Sequence, residues 1–294
     1  MSDLRYTFTE DSACLLFPPI ILQTRAFKVA NSAPKPIYLL ENTKFAFQLR
    51  WGITVFWATP IDESLWIDKL RSTLEADNIR ILSWRRLASE ATQFVVSTTP
   101  TSSPSFIIHR LKGRLHYATK SYTSKALRSH YAIRSFGTQE REIVENYIQG
   151  QTNHHRMATT KAQSIFEALR YQDDSIDLAR ERTTSHGTYW YNLHVVLVHA
   201  ERWCDVKQSR LERVQQVLLQ SGKNKSWEIS RFSILADHLH VALGCGFDES
   251  PDSIALSMMN NVAWVYEMKP ILQFSSFVGT FGEYDHRVIQ GATL

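Results

Sequence analysis

The chain reads as an α+β protein in which one small unit is used twice. Three observations carry that reading. Strand-like runs rich in β-branched and aromatic residues recur in the same order in both halves, each opening run is followed by apolar residues at helical spacing, and a Ser-Pro turn falls at the same place in each half. The expected architecture is an antiparallel sheet with helices packed on one face, made in tandem.

Taken in order, the strand over 51–57 lies against the strand over 191–197. Trp66, Ile67, Leu70 and Leu74 form one helical stripe, matched by Leu211, Val214, Val217 and Leu218. Ser83-Trp84 aligns with Ser226-Trp227, and the next strands cover 93–97 and 240–244. Ser103-Pro104 and Ser250-Pro251 open a second helix in each copy, since proline is tolerated in a first helical turn. The closing strands run over 131–137 and 277–282. A further helix is expected over 162–178. The implied division is an extension over 1–44, a first unit over 45–151, a linker over 152–187 and a second unit over 188–294.

Function must come from what differs between the copies. The second copy carries Asp237-His238-Leu239-His240 leading into an apolar strand, and alternation puts both imidazoles on one side of it. The first copy has Ala91-Thr92-Gln93 there. It ends instead in a helix-like stretch with Thr138 as N-cap, in which Tyr147 and Gln151 share a face at i and i+4. In the second copy Val288 takes the place of Tyr147, and the nearest tyrosine, Tyr284, lies four residues earlier. Each feature has an ordinary explanation, because paired histidines are commonly hydrogen-bonded and a helical tyrosine commonly packs with a wet hydroxyl. Their reciprocal loss between the copies favours a shared chemical role.

The His-hydrophobic-His strand and the Tyr-Ile-x-x-Gln helix following a Phe-Gly turn resemble the single-tyrosine transposases of the HUH endonuclease superfamily, including those associated with REP sequences. The resemblance covers roughly 45–151 and again 188–291. It implies two tandem ferredoxin-like, RRM-like domains of HUH type. It also implies an internally duplicated pseudo-dimer, monomeric in solution, with one composite site: Tyr147 as nucleophile, and His238, His240 and Gln151 as metal ligands. The activity implied is cleavage and rejoining of single-stranded DNA, hairpins included, through a 5′-phosphotyrosine. Imidazole donors alone suit zinc or iron, whereas amide and phosphate oxygens suit Mg²⁺ or Mn²⁺, and the resemblance implies the latter pair.

Charge is consistent with that partner. The formal net charge is +4, and no acidic residue occurs between Glu90 and Glu140. Arg110, Lys112, Arg114, Lys120, Lys125, Arg128 and Arg134 fall in that span with Tyr117, Tyr122 and Tyr131 among them, a mixture suited to phosphates and unpaired bases. Of these, Tyr117 and the seven basic residues are the expected DNA contacts. The rival readings are a domesticated, non-catalytic DNA-binding protein of a mobile-element or host complex, and a phosphohydrolase using water with Tyr147 structural. His154-His155 reads as a solvated pair favoured by a helix C-terminus. Cys14, Cys204 and Cys245 show no zinc spacing and fit a cytoplasmic protein. The apolar run over 15–22 is too short and too broken by proline to span a membrane, and Asp3 before it argues against a signal peptide.

Overall fold

The computed structural model describes residues 35–154 and 159–283. Cys14, His155, Tyr284 and Val288 lie outside the described residues. The first half contains β1 (Lys44–Gln48), β2 (Arg50–Trp57), α1 (Ile67–Glu75), β3 (Ile79–Ala88), β4 (Ala91–Thr98), α2 (Pro104–Thr119), β5 (Leu127–Phe136), α3 (Arg141–Gln149) and α4 (Gln151–His154). The connection contains α5 (Thr160–Ala168), β6 (Tyr171–Gln172) and β7 (Arg182–Thr183). The second half contains β8 (Gly187–Trp190), β9 (Asn192–His199), α6 (Gln208–Asn224), β10 (Glu228–Ile234), β11 (His238–Gly244), α7 (Pro251–Val265) and β12 (Leu272–Thr280).

Each half builds a mixed α+β layer from a βαββαβ run. The first sheet has the order β3-β4-β2-β5 and the second β10-β11-β9-β12, antiparallel within each set of four. Trp51, Ile53, Val55 and Trp57 alternate into the core beneath α1 and α2, while Leu193, Val195 and Leu197 do so beneath α6 and α7. Both Ser-Pro turns start helices. Ser103 Oγ accepts from the Phe106 N–H at 3.1 Å, and Pro104 and Pro251 occupy first-turn positions where no backbone donor is needed.

The halves exchange strands. β1 runs into β2 with only Leu49 between them, yet β1 pairs in parallel with β12 of the second half. β8 runs into β9 through Tyr191, yet pairs in parallel with β5 of the first. Leu49 and Tyr191 are buried where the chain crosses between sheets. Residues 37 and 38 also bind the second half: the Ile37 and Tyr38 N–H groups donate to Asn260 Oδ1, and the Tyr38 hydroxyl bridges the backbone of Leu272.

This exchange fixes how the copies correspond. Arg50 N–H donates to Thr280 Oγ1 at 2.9 Å and Asn192 N–H donates to Ser135 Oγ at 2.8 Å, so Arg50 matches Asn192 and Ser135 matches Thr280. The opening strands are therefore aligned two residues away from the expectation, and His194 corresponds to Gly52. A shift of two preserves which face each residue occupies, and so the alternation could not reveal it. Gly52 pairs with Val95 and His194 with Ala242, which leaves the Ala91/His238 and Gln93/His240 correspondences as expected.

Other local expectations change as well. Ser83-Trp84 lies within β3 whereas Ser226-Trp227 precedes β10, because α6 is much longer than α1. The helix expected over 162–178 is α5, ending at Ala168, after which Tyr171 and Gln172 join the edge of the second sheet beside β10. The N-cap of α3 is Glu140 rather than Thr138.

At the crossover Gly137 packs with no room for a side chain: a Cβ there would meet the Thr280 carbonyl oxygen at 2.3 Å. Gly137→Ala is expected to destabilise the fold by about 3 kcal/mol in urea unfolding, through backbone displacement. A loss under about 1 kcal/mol would show that the crossover yields easily.

Candidate active site

The site forms where α3 of the first half lies on the second sheet, on the face opposite α6 and α7. Its seat is a small separate core in which Val144 and Ile148 meet Leu178, Ala242 and Phe281. The connection holds α3 there. Gln149 Nε2 donates to the Tyr171 carbonyl at 2.9 Å, Arg170 Nη1 donates to the Gln149 carbonyl at 3.1 Å, and Arg141 pairs with Asp177 at 3.7 Å.

Beneath the helix, His238 and His240 project from one face of β11 while Leu239 points into the main core. Their rings lie 5.1 Å apart, centre to centre. Tyr147 meets His240 edge-on at 5.6 Å and also approaches a third imidazole, His194, at 6.3 Å. Tyr147 remains 45% exposed. The tyrosine and the histidines it meets come from opposite halves.

Both imidazoles of the pair are engaged at Nδ1. His238 Nδ1 lies 2.6 Å from Asp237 Oδ1, and Asp237 Oδ2 takes Arg202 Nε at 2.7 Å. Burial pushes the Asp237 carboxyl up, but the hydrogen bond and charge of His238, with the charge of Arg202, outweigh it and leave the group below the usual carboxylate range. His240 Nδ1 lies 3.0 Å from His194 Nε2, with the two rings stacked. Gln151 is buried one turn beyond Tyr147. Its Nε2 donates to the Tyr147 carbonyl at 3.1 Å, while its Oε1 has no hydrogen-bond partner among the described residues.

His194 carries no motif of its own in the sequence. The available signal was its polarity on the face of β9 that alternates with Leu193, Val195 and Leu197. Burial pulls its imidazole down from the usual 6.5 to about 4, and burial also lowers His199. The folded chain therefore excludes protons that the unfolded chain binds below pH 6.5, so stability is complete above that pH and falls as pH drops toward 4. His194 is partly buried as a residue, and its contribution to the loss between pH 7 and pH 5 is about 1–2 kcal/mol. Urea unfolding at the two pH values should show a clearly smaller drop for His194→Gln. An unchanged drop would assign the acid sensitivity elsewhere.

The expected DNA contacts are placed differently from the tyrosine. Arg110, Lys112, Arg114 and Tyr117 are on α2, Lys120 caps it, Lys125 precedes β5, and Arg128 and Arg134 are on β5. The span that lacks acids in sequence gains them in space. Arg114 donates twice to Asp77, at 2.8 and 3.0 Å, with Arg110 3.9 Å from the same carboxylate. Arg128 pairs with Glu90 and Arg134 approaches Glu283. Lys112 donates to the carbonyls of Arg128 and Ser129, and burial lowers its pKa. Tyr117 is flanked by the ammonium groups of Lys69 and Lys120 at 4.2 and 4.6 Å. These contacts tie α2 to the body of the first half.

Among the described residues no group of three or more His, Cys, Asp or Glu side chains is arranged to hold a metal ion. A three-donor set here needs the amide oxygen of Gln151. Among them, too, no helix is long and apolar enough to cross a membrane.

No protein-family model matches the chain. No curated protein matches it in sequence either. Among solved structures it is similar to a REP-associated tyrosine transposase bound to a REP hairpin, at 10% identity and TM-score 0.29 over 34% of this chain and 61% of that one. The chain thus spans about three fifths of that relative. A putative transposase from Deinococcus radiodurans aligns at 13% identity and TM-score 0.27, over 38% of this chain and 95% of that one. An unknown protein from Galdieria sulphuraria aligns at TM-score 0.19 over 80% of this chain. Similarity at this level carries no functional argument.

Proposed function

We propose that this protein cuts and rejoins single-stranded DNA at one composite site, with Tyr147 from the first half as nucleophile and the histidine pair from the second half as its partner. The observation that carries this reading is the edge-on packing of Tyr147 against His240 at 5.6 Å across the two halves. A nucleophile must reach both solvent-borne substrate and a polar site, and Tyr147 does both, exposed to solvent while its ring rests on buried His240.

A divalent cation is supported by Gln151 Oε1, a buried acceptor with no hydrogen-bond partner among the described residues, one turn beyond the Tyr147 that packs against His240. His238, His240 and Gln151 would hold Mg²⁺ or Mn²⁺, which supplies Lewis-acid polarisation of a phosphate when bound. The chain's own part is nucleophilic. Tyr147 Oη bonds to phosphorus, the bond from phosphorus to the 3′ oxygen breaks, and that oxygen takes up a proton in exchange for the one the phenol gives up. One phosphodiester replaces another, so the reverse attack by the 3′ hydroxyl rejoins the strand without an energy source. Fusion of the halves supplies in one chain what two subunits would otherwise provide.

The test uses the full chain, Mn²⁺ and a pool of single-stranded oligonucleotides, hairpins included, labelled at the 3′ end. The expected result is label that stays with the protein on a denaturing gel. A pool that yields no such adduct with the metal-loaded protein overturns the reading.

A further inference from the structure

Resting on that reading, we propose that His194 and Asp237 are positioning residues that hold His240 and His238 in one common tautomer, with the proton on Nδ1 and the lone pair on Nε2. The geometry sets the requirement. A single proton lies between His194 Nε2 and His240 Nδ1, 3.0 Å apart when both rings are neutral. If His194 carried it, His240 would bear its own proton on Nε2 and could not ligate through that nitrogen. If His240 carries it, His194 accepts and His240 Nε2 keeps its lone pair. At His238 the same outcome follows from a carboxylate: Asp237 Oδ1 can only accept from Nδ1, and Arg202 on Oδ2 holds the carboxylate in place.

The first half supplies an independent indication. The correspondence fixed by the strand exchange puts Gly52 at the place of His194, Ala91 at that of His238, Gln93 at that of His240 and Glu90 at that of Asp237. All three imidazoles are missing together from the half that has no site. The remaining acid, Glu90, is exposed and binds Arg128 at 2.6 Å. A histidine kept only for packing would have no reason to disappear along with the pair it touches.

Side-chain nitrogen NMR on the metal-free full chain tests this directly, with calorimetric Mn²⁺ titration alongside. The expected spectra show the Nδ1–H tautomer at both His238 and His240. His194→Phe and Asp237→Ala should each weaken Mn²⁺ binding about 10- to 100-fold. His194→Gln and Asp237→Asn, whose amide oxygens still accept from Nδ1, should recover most of it, which loss of packing alone would not predict. The Nε2–H tautomer at either histidine overturns the positioning role even if DNA adducts form. Correct tautomers without any DNA adduct would leave the positioning role standing and overturn the proposed reaction instead.

Discussion

Tyr147→Phe is expected to eliminate the covalent DNA adduct, lowering its rate of formation by at least on the order of 10³-fold, because no other group replaces the lost nucleophilic oxygen. The ring remains, and with it the edge-on contacts to His240 and His194, so the fold and the affinity for DNA and Mn²⁺ should change little. Removing one hydroxyl from a partly exposed residue changes stability by about 0.5 kcal/mol. The comparison that isolates chemistry is therefore adduct formation against DNA binding on the same preparation. Tyr284→Phe serves as the companion variant and is expected to leave the adduct in place. Should Tyr147→Phe retain the adduct and Tyr284→Phe lose it, the composite site is wrong and the second half acts alone.

The second large effect concerns folding. Neither half, expressed separately by division between residues 154 and 159, is expected to form a native structure. The first half would lose β8 from the edge of β5, and the second would lose β1 from the edge of β12, leaving unpaired strand edges in both. The seat of α3 would also be opened, exposing Val144 and Ile148 on one side and Leu178, Ala242 and Phe281 on the other. The main core runs unbroken through residues of both halves, from Trp51 and Ile53 to Leu193 and Val195. Each fragment alone should give collapsed amide dispersion or aggregate, and co-expression should restore a single species of native size. A dispersed spectrum from either fragment alone would mean that strand exchange is decoration on two independent domains.

Some of this organisation could be read directly from residue patterns. The duplicated strand and helix order, the two Ser-Pro helix starts and the one-sided histidine pair are local properties, set by periodicity and turn chemistry over a few residues. The unequal sharing of Tyr147, Gln151, His238 and His240 between the copies is also local. His194 was harder to see, because one polar residue in an apolar strand carries no spacing signal of its own. It becomes informative only when β9 and β11 are laid side by side, since pairing puts His194 opposite Ala242 and diagonally next to His240. The surroundings of the basic span are likewise non-local. Its freedom from acids holds along the chain, but Asp77, Glu90 and Glu283 enter from outside it and pair with its arginines.

What residue order alone determined is therefore the unit, its repetition and the polar residues each copy kept, because side-chain alternation and helical spacing are fixed by neighbouring residues. What only the tertiary structure decided is which copy each strand and helix serves. β1 and β8 look like extensions of the strands that follow them, and α3 looks like the end of the first unit. Hydrogen bonding between strands and the burial of small apolar faces act between residues far apart in the chain, and they carry β1 to β12, β8 to β5 and Tyr147 to His240.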